Sequence, residues 1–289
     1  MNVQKNILSI SVIMLFTTSI EANDKEQVYR AVYELNEIYS YIGNDWEPDL
    51  SDEKSDVKFR KDILRLELYP ESSFCYSYYT WMTDSLKMEP NGDKIWDGMF
   101  FAWYRSGASG EPTYPYKRSN WLIEKNRSAD TMTVYDFFDS QFYQYTDTGL
   151  SSSDWVITDS VSNINGYDCM LATCSYHGRD WEVWFSTDLP WQDGPWKFSG
   201  LPGLVVSASD VEGLYRFDLK EIYPVSKPVK PWVKKPKKTT RQQFLKELFE
   251  YFKTLDGGGI TAELGIKVDS SLDKPKRYRI GIEKDYIHK

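Results

Sequence analysis

Histidine is almost missing from this chain. Of 289 residues only His177 and His288 are histidines, so any imidazole-based acid–base chemistry must run through one of two side chains. Cysteine is nearly as scarce. Cys75, Cys169 and Cys174 fall short of a four-thiolate metal site, and any single disulfide leaves one thiol over. Also absent are the zinc-protease helix motif, the nucleophile elbow and the phosphate-binding glycine loop, so no metal and no cofactor is expected. No apolar run reaches the roughly 20 residues of a membrane-spanning helix. A basic body is missing too. The net charge is -8, and residues 224–289 hold 16 Lys+Arg against 8 Asp+Glu, which leaves the rest strongly acidic. That balance excludes nucleic acid as the main partner. It makes the basic end either a face that attracts the acidic body or a contact for an anionic partner.

The N-terminus carries an address. Lys5 precedes "ILSISVIMLFTTSI", Ile7 to Ile20, and small or polar residues follow around Ser19 and Ala22. This is the layout of a secretory signal peptide, 1–22, with cleavage after Ala22 or, alternatively, after Ser19. The mature protein is expected to be exported to the periplasm, the outer membrane or the medium. That address permits a disulfide. Cys169 and Cys174, five apart on one strand, would face opposite ways, which leaves Cys75 to pair with one of them.

Aromatic residues make up 16% of the chain, with 21 Tyr and 11 Trp, which suits β structure and binding surfaces. Period-two alternation recurs. Leu64, Leu66 and Leu68 share one strand face; Trp181, Val183 and Phe185 share another; Tyr215, Phe217 and Leu219 a third. Similar runs lie at 27–36, 119–125, 130–137, 141–146, 153–159, 167–176 and 203–209. Short, closely spaced strands with one polar face predict a mainly β fold: a curved antiparallel sheet or half-barrel with few helices, spanning 23–223. Segment 76–108 reads either as helix or as an aromatic-packed loop. Residues 224–238, "PVSKPVKPWVKKPKK", read as an extended Pro/Lys linker that stays out of the sheet. One amphipathic helix is predicted at 239–256. Thr240 and Gln243 stand at capping-box spacing, and Phe244, Leu245, Leu248, Phe249, Phe252 and Leu255 form its apolar stripe. A basic tail, 257–289, follows.

The candidate site is the connection between strands 179–187 and 203–209, "FSTDLPWQDGPWKFSGLPG". Its length marks it as functional or self-packed. The residues singled out are Trp191, Asp193, Gly194, Pro195, Trp196, Phe198, Gly200, Leu201, Pro202 and Gly203, with Arg179 and Trp184 on the preceding strand. The prolines fix φ, the glycines allow close backbone approach, and the aromatic rings can plug the loop onto the sheet. Packing is the primary expectation, a ligand-facing rim the second and a catalytic turn the third. Arg179 and Asp193 are expected to tie the loop down. His177, in "CSYHGRDW", is expected at the surface of a turn.

"GPWKFSGLPGLVV" resembles the signature of the GLPGLI family, also called the Porph_ging domain. So does the block 153–206, which includes the Trp155 segment, Gly166-Tyr167-x-Cys169, Ala172 and Gly178-Arg179-Asp180. "LRLELYPESSFCYS" and "RYRIGIEKD" extend the resemblance to most of the mature chain. Val205 and Val206 depart from the isoleucine of the name motif. The resemblance implies an exported protein of Bacteroidetes-type bacteria and supplies no catalytic residues. Two functions follow as expectations. One is a non-catalytic envelope module that holds an amphipathic ligand or a protein partner. The other is a glycan-directed hydrolase that uses a carboxylate pair.

Overall fold

A computed structural model describes residues 27–42, 48, 50–108, 112–127, 131–229, 235–254, 277–279 and 281–285. The fold is mainly β, a mostly antiparallel sheet that stays open. Six strands form a first meander: β1 (Val28–Ile42), β2 (Lys58–Leu68), β3 (Ser72–Ser77), β4 (Leu122–Asn126), β5 (Thr131–Phe138) and β6 (Gln141–Thr148). Five more form a second: β7 (Val156–Ile164), β8 (Tyr167–Tyr176), β9 (Arg179–Ser186), β10 (Leu204–Asp210) and β11 (Tyr215–Val225). The meanders join where β11 pairs with β1, giving the order β6-β5-β4-β3-β2-β1-β11-β10-β9-β8-β7.

Chain connectivity forces the curvature. β6 and β7 stand ten strand positions apart in the sheet, which would be roughly 48 Å if it were flat, at about 4.8 Å per strand. The chain between Thr148 and Val156 reaches at most about 28 Å. The sheet therefore curls until its two edges approach each other. The Tyr176 hydroxyl, at the end of β8, donates to the Thr148 carbonyl on β6 at 2.8 Å and spans the gap.

The alternating rows read from the sequence supply the inner face. Leu64, Leu66, Leu68, Trp181, Val183, Phe185, Phe217 and Leu219 are all buried in one core. On the outer face, Phe74, Tyr76 and Leu122 form a smaller cluster, covered by Trp81 and Val229.

Segment 76–108 resolves into two helices, α1 (Tyr78–Met88) and α2 (Gly92–Arg105), with Ser77 capping α1 through the N–H of Thr80. The strand "SSFCYS" just before them carried no clear sequence signal. The Pro/Lys linker does not stay out of the sheet. Tyr223, Pro224 and Val225 finish β11 against β1, and β12 (Lys237–Lys238) pairs in parallel with β6. Pro224 is tolerated because the pairing of β10 with β11 ends at Asp218; beyond it no strand among the described residues pairs with that edge of β11, where a missing N–H costs little. The predicted amphipathic helix is α3 (Arg241–Thr254), and Thr240 accepts from the N–H of Gln243. The described part of the tail is structural: β13 (Arg277–Tyr278) pairs with β1, and Glu283 is buried. The signal peptide, Leu255 and His288 lie outside the described residues. All three cysteines are free thiols, so the disulfide that an export address permits is not formed.

Candidate functional site

The connection between β9 and β10 turns into the hollow of the curled sheet. Trp196 and Phe198 are fully buried there, against each other and against Trp181. Phe198 also meets Phe217 and Trp155. Leu201 is buried, Pro202 is exposed, and Trp191 packs on Tyr29 with ring centroids 4.9 Å apart. Trp184 is half-buried on the other face of β9. Pro195 and Gly194 are buried, and a Cβ on Gly194 would lie 2.7 Å from Val205. A Cβ on Gly203 would come within 2.1 Å of the Ser186 carbonyl oxygen. Gly200 has φ +84° and touches the Leu150–Ser151 backbone. Gly200 and Gly203 are thus required by close backbone contact, and Gly194 by the Val205 side chain.

Charged groups fasten the loop to strands on the far side of the hollow. Lys125, a buried residue on β4, donates to the Asp193 carboxylate (2.7 Å) and to the carbonyls of Gly194 (2.6 Å) and Phe198 (2.8 Å). The Trp196 N–H donates to the Cys75 thiol on β3. Burial pushes that thiol up to about 12, so it stays protonated and inert. Asp193 ties the loop down as expected from its position, whereas Arg179 does not touch it. Arg179 is buried elsewhere, bound to Asp210, Glu212 and the carbonyl of Ile282.

The most charged point of the interior was not among the sequence candidates. Lys197, 1% exposed, sits between Trp196 and Phe198 and donates to Asp147 on β6 (2.5 Å) and to Glu283 near the C-terminus (2.5 Å). Asp147 also bonds His177 at 2.8 Å. Arg241, at the start of α3, pairs with Glu283 and Asp285. His177 occupies a turn, with φ +52°, yet its side chain is 9% exposed and points inward. The expected surface histidine is corrected. The tight β8–β9 turn aims the ring at β6, across the gap between the sheet edges. Burial acts to raise Asp147, but the His177 hydrogen bond and the Lys197 ammonium outweigh it and hold its carboxyl below the usual range. Glu283 is likewise held down by Lys197, His177 and Arg241 against its burial.

Asp147, His177 and Glu283 offer ligand atoms within 4.8 Å of one another, close enough to share a metal ion. The donor set argues against one. The Lys197 ammonium already bonds both carboxylates, and a metal would have to displace it. The cluster is a clasp made of side chains, joining β6, the β8–β9 turn, the loop, α3 and the C-terminal segment.

Beneath α3 lies a cavity of about 40 Å³, lined by Ile123, Val134, Asp136, Tyr145, Trp196, Lys197, Phe244, Leu248 and Glu283 among others. That is room for two or three waters, against the ~300 Å³ or more of a typical ligand site. Asp136 faces it from β5. Burial, with a contribution from Glu283, raises its carboxyl to about 7.

An open sheet of two meanders with its hollow filled by its own loop can be compared with known structures. The fold resembles part of PNGF-II. In its P21 crystal form the TM-score is 0.50 at 12% identity, over 78% of this chain and 34% of that one. The C2 form gives 0.48 at 13% identity, over 78% and 33%. This chain therefore spans about a third of PNGF-II, and at this identity the likeness is one of fold. No protein-family model matches the chain, and no curated protein does.

Proposed function

We propose that this is an exported cell-envelope protein that acts as a non-catalytic binding or assembly module for a protein partner. The observation that carries the reading is the filled hollow. Trp196, Lys197 and Phe198 occupy the space where a half-barrel carrier would hold its cargo, and the cavity beneath α3 is water-sized. Recognition then belongs to the outer surface. Several of the exposed large apolar side chains lie there on α1–α2, namely Met88, Ile95, Phe101 and Tyr104, and on β7, namely Val156, Ile157 and Val161. No helix among the described residues is long and apolar enough to cross a membrane. The leader-like N-terminus and the resemblance to the GLPGLI family support export.

Within this cavity a hydrolase would use Asp136 and Glu283, the carboxylates that line it. Glu283 is committed to Lys197 and Arg241, and the cavity is far below the volume of a sugar-binding cleft. The non-catalytic reading is therefore preferred. The test is native mass spectrometry of the mature chain, purified gently from its own envelope fraction, with N-terminal sequencing. The reading expects a start at residue 23 (or 20) and a bound polypeptide. A stoichiometric small molecule would overturn it in favour of a carrier.

A further inference from the structure

β7 ends the sheet, and among the described residues no strand pairs with its outer edge. The Asn165–Gly166 turn, with both residues at positive φ, folds it back on β8, and Val161 to Ile164 run in regular register against Met170 to Tyr167. In such a pair alternate main-chain N–H and C=O groups point away from the partner strand. They form a row that a further strand would satisfy. Edge strands are commonly guarded by lysine or proline. This one reads "VITDSVSNI", has Val156, Ile157 and Val161 exposed, and carries Asp159 as its only charge. The pairing with β8 breaks between Ile157 and Val161, and Asp159 stands exposed in the break. Beyond Val161, the exposed Asp168 of β8 adjoins Asn163, whose amide donates to it at 2.9 Å. Charge here has one sign. From residue 149 to residue 196 the only lysine or arginine is Arg179, which is buried. The exposed charges of that span are all acids: Asp154, Asp159, Asp168, Asp180, Glu182 and Asp188.

We propose that the β7 edge is a strand-addition site for an extended basic segment of a partner protein, in which β-branched residues alternate with lysine, arginine or small polar residues. Main-chain hydrogen bonds to the edge supply affinity. Val161 and Ile157 receive the apolar side chains, and Asp159 and Asp168 the cations. Asp159 and Asn163 are four positions apart, roughly 13 Å at most in extended chain, so two cations four positions apart in the partner match the two acids. Charge complementarity decides the occupant. A second copy of this chain laid along β7 would set acid against acid, which is unfavourable between adjacent strands. A basic strand meets opposite charge instead. This rests on the assembly reading and names the kind of partner.

The test uses the full mature chain and labelled heptapeptides, with binding followed by fluorescence anisotropy. The probe is KVTVKVT, whose lysines stand four positions apart. One control replaces both lysines by glutamate. The other is N-methylated at every valine and threonine, so it keeps the side chains and loses the main-chain donors. The probe is expected to bind at least about tenfold more tightly than either control, and to slow hydrogen exchange at Val161 to Ile164. Val161→Lys, which puts a cation on the edge, should weaken the probe about tenfold, and so should Asp159→Asn combined with Asp168→Asn. If the double variant does not fold, Asp159→Asn alone replaces it. Failure of the probe to bind, equal binding of either control, or unchanged binding to Val161→Lys would overturn the site. Any of these results together with a bound polypeptide in native spectra would remove the edge site and leave the assembly reading intact.

Discussion

At the scale of single residues, the interior is governed by a few buried charges. Lys197 is the centre of the clasp. Replacing it by methionine keeps the bulk but leaves Asp147 and Glu283 facing each other without their shared cation, which should lower unfolding free energy by about 3–5 kcal/mol. Denaturant titration of Lys197→Met measures it. Asp136 sets a pH dependence of defined sign. Its folded carboxyl titrates at about 7, whereas in the unfolded chain it titrates near 4. The folded state holds the proton more tightly, so stability should fall as pH rises from about 4 to about 7 and then level off. Asp136→Asn should flatten that slope and raise the melting temperature at pH 8. Asp147, Glu283 and Asp285 are shifted down and act in the opposite sense. Their contribution is present at neutral pH and is lost as pH falls below about 4. Asp136 was not among the sequence candidates, although its place as the one acid in the row Met132, Val134, Asp136, Phe138 was a signal. Lys197 gave no such signal: a lysine in a Gly/Pro loop ordinarily faces water, and its partner Glu283 lies 86 residues away.

At the scale of elements, the β9–β10 loop behaves as a folded insert whose glycines serve different ends. Gly203→Ala would drive a methyl into the Ser186 carbonyl, and Gly200→Ala would add a left-handed backbone to a contact with Leu150. Each should cost about 1–3 kcal/mol. Gly98 gives the contrast: it sits inside α2 with nothing within 4 Å of a built Cβ. Gly98→Ala should stabilise by about 0.5–1 kcal/mol through helix propensity alone. Thermal melts of the three variants check both directions. The strands were legible because their rows alternate, and α3 because its stripe and cap coincide. The α1–α2 hairpin was harder to read because its aromatic residues are spread around the helices; in α2 only Gly92 and Phe100 are buried. The linker misled because proline-rich chain usually stays free. Here β1 pairs with its first residues and β6 with its last.

At the scale of the whole molecule, the sheet stays open and so keeps edges. β7 is the outermost strand on one side; Val156, Ile157 and Val161 are exposed on it, at 65, 46 and 75%. A long, weakly charged edge is a template for further pairing. Val161→Lys should leave the melting temperature within about 1 °C while raising the concentration at which light scattering first reports self-association. That the sheet would be curved and antiparallel followed from strand spacing. That its two halves would be clasped by Lys197, His177 and Arg241 did not, since these residues meet only after the edges have approached. The joining of the meanders has a consequence in time. β1, the first described strand, pairs with β11, so Tyr29 lies beside Pro224. Half of the hydrogen-bonding capacity of the first strand waits until about three-quarters of the chain has been delivered. Such distant pairing slows folding. A chain that is still arriving, from a ribosome or through a membrane pore, carries β1 as a half-satisfied strand, and the arrival of β11 is the event that commits the molecule to its shape.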